Sequence, residues 1–290
     1  PVKLSIMKWT DDRSGNVDDR RGSGGGGGAI VGGGLGTIII AAIVFFLGGD
    51  PSAILSSGGS SAPQTEQREL SQNEKQVGEF IKMITAENEE TWTKIFAENA
   101  MTYQPAKVVL FTTQTQSGCG TAQSAMGPFY CPADQTVYMD MTFFNELQSK
   151  FGAKVTEFTI AYVMAHEMGH HVQNLLGTLD KTDQLRRSGR YSEEEMNRVS
   201  VATELQADFY AGLWSRYSNE REKFLEPGDL ESAVEAAEAV GDDNIQKRSQ
   251  GYVNQESFTH GSSAQRKEWF MKGYNSGDIK QGDTFNQLLK

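Results

Sequence analysis

The strongest constraint on the fold of this chain is the stretch FTIAYVMAHEMGHHVQNLL at residues 158–176, which contains no proline and reads as one helix. Thr156 is placed to start this helix and Gly177 to end it. His166 and His170 lie four residues apart, so their rings share one face and can hold one metal ion. A pair of ligands is not sufficient for such an ion. The fold must therefore bring a second ligand-bearing element against this face.

Glu167 follows the first of these histidines and is turned about 100° from it around the helix, beside the ion. This His-Glu-x-x-His pattern is typical of zinc peptidases, in which zinc activates a water molecule and the glutamate accepts its proton. We therefore predict that Glu167 is the general base. The pattern has few fixed positions, and two surface histidines beside an unrelated glutamate are the alternative interpretation. His171 points away from the pair and is predicted to pack or support it, and not to bind the ion.

The third ligand is predicted to be a carboxylate. A histidine six residues after His170, as in one class of zinc proteases, is excluded because Leu176 occupies that position. The stretch ATELQADFYAGLW presents Glu204 and Asp208 four residues apart, with small alanines on the same side of a predicted helix. We predict Glu204 as the ligand and Asp208 as the acceptor of a ligand histidine's free ring N–H. A solvated helix face is the alternative, but the surrounding stretch is apolar.

The fourth histidine, His260, is the candidate for a second catalytic role. It lies in a predicted loop, SFTHGSSAQR, and zinc proteases often use a downstream His or Tyr to stabilise the oxyanion. A lone histidine in a loop can equally be structural. Tyr130 and Tyr162 are weaker candidates for this role, and Tyr210 is expected in the core.

Cys119 and Cys131 are predicted to form a disulfide across a turn-rich loop. In an oxidising compartment such a bond stabilises a fold by about 2–4 kcal/mol. Two reduced, buried cysteines are the alternative. Neither cysteine has a second Cys or His at the spacing of a zinc site.

Residues 29–49 contain no charged residue and are long enough, as a helix, to span a bilayer core of about 30 Å. We predict a single transmembrane helix, since a buried helix or a signal peptide fits a segment of this length and position less well. Basic residues precede it and an aspartate follows it, which predicts a cytoplasmic N-terminus and a periplasmic catalytic domain at the inner membrane. The predicted organisation is a disordered cytoplasmic segment (1–28), the transmembrane helix (29–49), a flexible linker (50–68) and the catalytic domain (69–290).

The catalytic part is predicted to be α+β and mainly helical, with a small sheet. KVVLFTT and TVYMDM read as strands, and the second could be the edge strand that lines the substrate cleft or an ordinary strand. Helices are predicted after Ser71 and Ser192, each followed by a glutamate at capping-box spacing, and a separate helix is predicted around Trp92. The formal charge of −11 without a Lys/Arg-rich run argues against a nucleic-acid partner.

AHEMGHHVQ, ELQADFYAGLW and FTHGSSAQRKEWFMKGYNSGD together resemble the bacterial "putative neutral zinc metallopeptidase" family of the YpfJ type, and the resemblance runs over nearly the whole chain. It implies a zincin-like domain outside a single membrane span and a Zn²⁺ cofactor. It also implies His166, His170 and Glu204 as ligands and Glu167 as the catalytic glutamate.

The function predicted from these observations is that of a membrane-anchored zinc metallopeptidase acting on a peptide or protein. The alternative is a non-catalytic zinc-binding membrane protein that binds or regulates a partner. A glutamate beside an open coordination position argues against that alternative, because a structural zinc site has no need of one.

Overall fold

A computed structural model of the chain describes residues 8–22, 69–151 and 155–289, which form a mainly helical α+β fold, as predicted. The α-helices of the described residues are α1 (Gln72–Glu98), α2 (Thr142–Phe151), α3 (Glu157–Leu175), α4 (Thr178–Arg187), α5 (Glu193–Glu222), α6 (Asp229–Ala239), α7 (Asp242–Gln250), α8 (Ser263–Ser276) and α9 (Thr284–Leu288). The strands are β1 (Val17–Asp19), β2 (Lys107–Phe111), β3 (Gln114–Ser117), β4 (Gly120–Gln123), β5 (Phe129–Cys131) and β6 (Thr136–Asp140).

The helix starts follow local sequence signals. Ser71 caps α1 and Ser192 caps α5, each in a reciprocal capping box with the glutamate three residues later. Thr156 caps α3, as predicted. The separate helix predicted around Trp92 is wrong: α1 runs through this residue without a break, because no Gly or Pro interrupts residues 79–98.

The main sheet has the strand order β1-β2-β6-β5, in which the first three strands are parallel and β5 is antiparallel to β6. β6 lies inside the sheet, and all five of its residues are buried. Of the two interpretations of TVYMDM, the ordinary strand is therefore correct and the edge strand is wrong, because the sheet continues on both sides of β6. The edge strand on that side is β5, which was not predicted. β3 and β4 form a separate hairpin.

The N-terminal segment at residues 8–22 is part of this fold. β1 pairs with β2, and flanking bonds join Val108 N–H to the Asn16 carbonyl (2.9 Å) and Arg20 N–H to the Leu110 carbonyl (2.8 Å). Trp9 donates its indole N–H to the Glu157 carboxylate at 3.2 Å. The prediction that residues 1–28 are disordered is therefore wrong for residues 8–22. A three-residue strand in a polar sequence has no local signal, because its stability comes from pairing with a distant strand.

The pairing of β1 with β2 also bears on the predicted topology. Two hydrogen-bonded strands lie on the same side of a membrane, so residues 8–22 cannot be cytoplasmic while the sheet is periplasmic. The predicted transmembrane helix at 29–49 and the linker at 50–68 lie outside the described residues. None of the helices in the described ranges has the length and apolar character needed to cross a bilayer.

α5 is the central helix and packs against both α3 and α8. The contact with α3 is close at Gly169, where a Cβ atom would lie 2.9 Å from the Ala207 carbonyl oxygen and 3.1 Å from its Cα. On the opposite side, glycines of α5 and α8 let these two backbones touch: Gly212 lies against Phe270 and Gly273 against Phe209. The absence of a side chain at Gly169 brings the polar faces of α3 and α5 together.

Candidate metal centre

His166 and His170 of α3 and Glu204 of α5 meet at the contact between the two helices. The ligand atoms of the three side chains all lie within 4.8 Å of one another, and all three residues are buried. Glu204 Oε2 is 3.2 Å from His166 Nε2, and Oε1 is 3.5 Å from His170 Nε2. Two donor atoms that each bind a tetrahedral zinc ion at about 2.1 Å are about 3.4 Å apart. The described side chains therefore fit a zinc ion in donor type and in spacing.

Each histidine is oriented by a hydrogen bond at its other ring nitrogen. His166 Nδ1 lies 2.8 Å from Asp208 Oδ1, and His170 Nδ1 lies 2.8 Å from Gln173 Oε1. Gln173 is itself held by the Thr203 carbonyl, which accepts from its Nε2 at 2.7 Å. Both Nε2 atoms are therefore turned towards Glu204, as metal coordination requires.

Asp208 is fully buried, and its charge is balanced by Arg266 of α8. Arg266 donates from Nε to Oδ2 at 2.8 Å and from Nη2 to Oδ1 at 3.0 Å. The Tyr162 hydroxyl donates to the same Oδ1 at 2.7 Å. These contacts fix the carboxylate against His166. The arginine also holds the pKa of Asp208 below its usual range, although burial acts in the opposite direction.

Glu167 lies beside the two histidines with 6% of its surface exposed. The backbone amide of Tyr130, in the edge strand β5, hydrogen-bonds to its carboxylate. Its Oε2 atom is buried and has no hydrogen-bond partner among the described residues. An unpartnered buried carboxylate oxygen is costly to a fold and is rare in native proteins.

Burial and charge give the acids and histidines of the site different proton affinities. Burial by itself lowers the pKa of His166, but Asp208 raises it to about 10. Burial lowers the pKa of His170 to about 4. Burial raises the pKa of Glu204, but the two histidines lower it to about 2. Burial raises the pKa of Glu167 to about 8. Before metal binds, the Glu204 charge is thus balanced by a proton on His166, which a cation would replace.

Comparison with known proteins agrees with this chemistry. The family described as "putative neutral zinc metallopeptidase" matches residues 7–285 of the chain. The chain belongs to this family. It is 47% identical over 222 residues to the uncharacterized protein YpfJ of Escherichia coli K12, which covers 77% of this chain and 76% of that protein. An uncharacterized protein of Mycobacterium tuberculosis H37Rv is 46% identical over 186 residues, or 61% of each chain. No solved structure matches the chain.

Membership in a zinc metallopeptidase family and the buried His-His-Glu group together identify zinc as the cofactor. The structure brings together the four residues that the sequence predicted for this centre: His166, His170, Glu204 and Asp208. It adds Arg266, which the sequence analysis did not identify. Arg266 lies within a stretch that carries the family resemblance, but no spacing rule links an arginine to a carboxylate 58 residues earlier.

Two histidines of the zinc metallopeptidase domain lie outside the group of ligand atoms. His171 contacts the Tyr130 hydroxyl through Nδ1 (3.0 Å) and the Gln104 carbonyl through Nε2 (2.6 Å), so it packs on the far side of α3. His260 is held at Nδ1 by Asp242 at 3.2 Å. Burial lowers the pKa of His260, but Asp242 raises it above its usual value, and the Glu204 charge adds to this effect.

The predicted disulfide between Cys119 and Cys131 is present and joins the β3–β4 hairpin to the edge strand β5. The same strand carries Tyr130, whose amide contacts the Glu167 carboxylate. The disulfide therefore links the hairpin to β5, the strand that lies beside Glu167.

Proposed function

We propose that the chain is a zinc metallopeptidase that hydrolyses peptide bonds with Glu167 as the general base. The observation that carries this proposal is the buried Glu167 Oε2, which has no hydrogen-bond partner within the described part of the chain and lies beside a His-His-Glu group. A purely structural zinc site needs no such carboxylate. His166, His170 and Glu204 would be the zinc ligands.

The roles of the surrounding residues follow from their contacts. Zinc, when bound, supplies Lewis acidity that makes a water molecule nucleophilic near neutral pH. Glu167 would accept the proton of that water at Oε2 and pass it to the leaving amine. Asp208 would hold His166 in the tautomer that presents Nε2, and Arg266 would keep Asp208 ionised and in place. His260, whose pKa is raised by Asp242, would donate to the oxyanion of the transition state.

The arrangement of α3 and the edge strand β5 supports the same proposal. Among the described strands β5 lies at the end of the sheet beside β6, and its Tyr130 amide lies at the Glu167 carboxylate. An extended peptide could add to the outer side of β5 as a further strand, which would bring its backbone past Glu167. This edge, and not β6, would be the substrate-aligning strand.

The test of the proposed function is peptide hydrolysis by the zinc-loaded protein and by its Glu167→Gln variant. The variant should keep one zinc per chain and lose at least about 1,000-fold in kcat/KM, because the base is removed while the ligands stay. Glu204→Ala should instead lose most of its zinc. If Glu167→Gln cleaves peptides as fast as the wild type, the mechanism is wrong. Zinc binding by a wild type that cleaves no peptide in a diverse library would favour the non-catalytic alternative.

We also propose that the domain is extracytoplasmic and that residues 8–22 share its compartment. The disulfide Cys119–Cys131 supports an oxidising environment, and the pairing of β1 with β2 supports a common location for the two parts. Cysteines introduced at the exposed positions Asp12 and Glu194 test this idea with a membrane-impermeant maleimide on intact cells. Both positions should be labelled. Labelling of Glu194→Cys alone in the folded protein would contradict the shared location, and labelling of neither would contradict an extracytoplasmic domain.

A further inference from the structure

A cavity of about 360 Å³ lies beside the metal centre, between α4 and the two ligand-bearing helices. His170 and Glu204 line it from the metal side, and Tyr130 of the edge strand lines it as well. A peptide held at the metal centre would place a neighbouring residue in this cavity. The side chains that line the remainder of the cavity therefore decide which residue is accepted.

Two hydrogen-bond donors in this cavity have no partner among the described residues. The Ser200 hydroxyl is buried and unpartnered, in a residue with only 7% of its surface exposed. The Arg186 Nε–H is also buried and unpartnered, and Arg186 forms no ion pair within 4 Å in the described ranges. Unsatisfied buried donors are rare in native folds, because each costs about 1–3 kcal/mol. Two of them in one cavity indicate a ligand that accepts hydrogen bonds.

The charges around the cavity also favour a ligand that accepts hydrogen bonds. Arg187 is 81% exposed in its side chain and is ion-paired with Asp183 at 2.8 Å. Asp180 also lines the cavity but is exposed to solvent, which screens its charge. Arg186 is half-buried and lines the cavity as well, and the Asp183 carboxylate that attracts its charge is already ion-paired with Arg187. The unpaired charge that a bound group would meet is therefore the Arg186 guanidinium.

We propose that this cavity is a specificity site for a carboxylate of the peptide substrate, bound by Arg186 and Ser200. The inference rests on the proposed peptidase function and names its substrate class. A guanidinium binds a carboxylate with two parallel hydrogen bonds, and a serine hydroxyl can donate a third. The carboxylate is either an acidic side chain of an internal residue or the free C-terminus of the peptide. The first source implies endopeptidase action at acidic residues, and the second implies action near a C-terminal end.

The experiment measures binding without turnover, in the zinc-loaded Glu167→Gln protein, by fluorescence anisotropy of labelled short peptides. One pair of peptide mixtures has Glu or Gln fixed at a single position and amidated C-termini. A second pair has only neutral residues and a free or amidated C-terminus. We expect one pair to show about 10- to 100-fold tighter binding of the carboxylate member, which identifies the source of the group.

Arg186→Gln should abolish that preference by weakening the carboxylate peptide only, and Arg186→Lys, which keeps the charge, should retain part of it. Arg190→Gln is the matched control, because it removes the same charge at an exposed position that does not line the cavity, and it should leave the preference intact. Ser200→Ala should reduce the preference for the carboxylate peptide about 3- to 10-fold.

Equal affinities within both peptide pairs would overturn the proposal, as would an equal effect of Arg186→Gln and Arg190→Gln. The proposed function fails in a different way. If the zinc-loaded wild type cleaves none of these peptides although they bind with the expected preference, the carboxylate site stands and peptide hydrolysis does not.

Discussion

Replacing Glu167 by Gln should stabilise the metal-free protein at high pH. Burial raises the pKa of Glu167 from 4.5 to about 8, so the folded state binds a proton that the unfolded state has already released between these two pH values. The contribution of Glu167 to the free energy of unfolding therefore falls as the pH rises through this window, and it stays low above about pH 8. The glutamine variant does not lose stability in this way, because its amide does not ionise.

The size of the effect follows from the difference between the two pKa values. At about 1.4 kcal/mol for each pH unit, ionisation of Glu167 lowers the free energy of unfolding of the wild type by roughly 5 kcal/mol at about pH 9. At about pH 5 it lowers this free energy by less than about 1 kcal/mol. The buried glutamine amide itself costs about 2 kcal/mol. The variant should thus be more stable by about 3 kcal/mol near pH 9 and no more stable than the wild type near pH 5.

The assay is urea unfolding with a zinc chelator, followed by circular dichroism at both pH values. Glu235→Gln, an exposed position on α6, is the matched control and should track the wild type. A Glu167→Gln protein whose stability relative to the wild type is the same at both pH values would refute the reasoning, because the buried carboxylate would then not ionise against its surroundings.

Further predictions concern the close contact of α3 and α5, the hydrogen bond of Asp208 to His166, and the disulfide. Gly169→Ala should lose at least about 10-fold in zinc affinity by chelator competition, since its Cβ would lie 2.9 Å from the Ala207 carbonyl and push the ligand helices apart. The gain of up to about 1 kcal/mol in helix propensity should not offset the clash; unchanged zinc affinity would contradict the close approach. Asp208→Asn should weaken zinc binding about 10- to 100-fold, and it should lower the free energy of unfolding because the buried Arg266 loses its counter-charge. A variant equal to the wild type in zinc affinity and in stability would show that Asp208 does not orient His166. Reducing the Cys119–Cys131 disulfide should lower the free energy of unfolding in urea by about 3 kcal/mol, the value for a loop of this length. An unchanged unfolding midpoint would show that the disulfide does not constrain the chain.

Helices could be predicted from the sequence because their signals are local. Ser71 and Ser192 each carry a partner glutamate three residues later, and the structure has a capping box at both places. The metal-binding side chains followed from the same kind of reasoning, since i and i+4 positions share a helix face. Gly169 lies where α3 and α5 approach most closely, which a glycine in an otherwise regular helix makes possible.

The parts of the fold that were not predicted depend on distant residues. β1 and β5 are three-residue strands, and only their pairing with β2 and β6 makes them strands. For the same reason the sequence left open whether β6 lies at the edge of the sheet or inside it. Arg266 could not be connected to Asp208 without knowing how α8 packs on α5, because an arginine in a helix has many possible partners. The cavity donors, Arg186 and Ser200, belong to different helices and become one site only in the folded chain.

The proposed function requires one zinc ion bound by His166, His170 and Glu204. An anomalous difference map at the zinc absorption edge, from crystals of the zinc-loaded protein, shows whether the ion is bound there. We expect one strong peak per chain, about 2.0–2.2 Å from Nε2 of each histidine and from a Glu204 carboxylate oxygen. Zinc bound at other residues, or crystals grown with equimolar zinc that show no peak between α3 and α5, would contradict it.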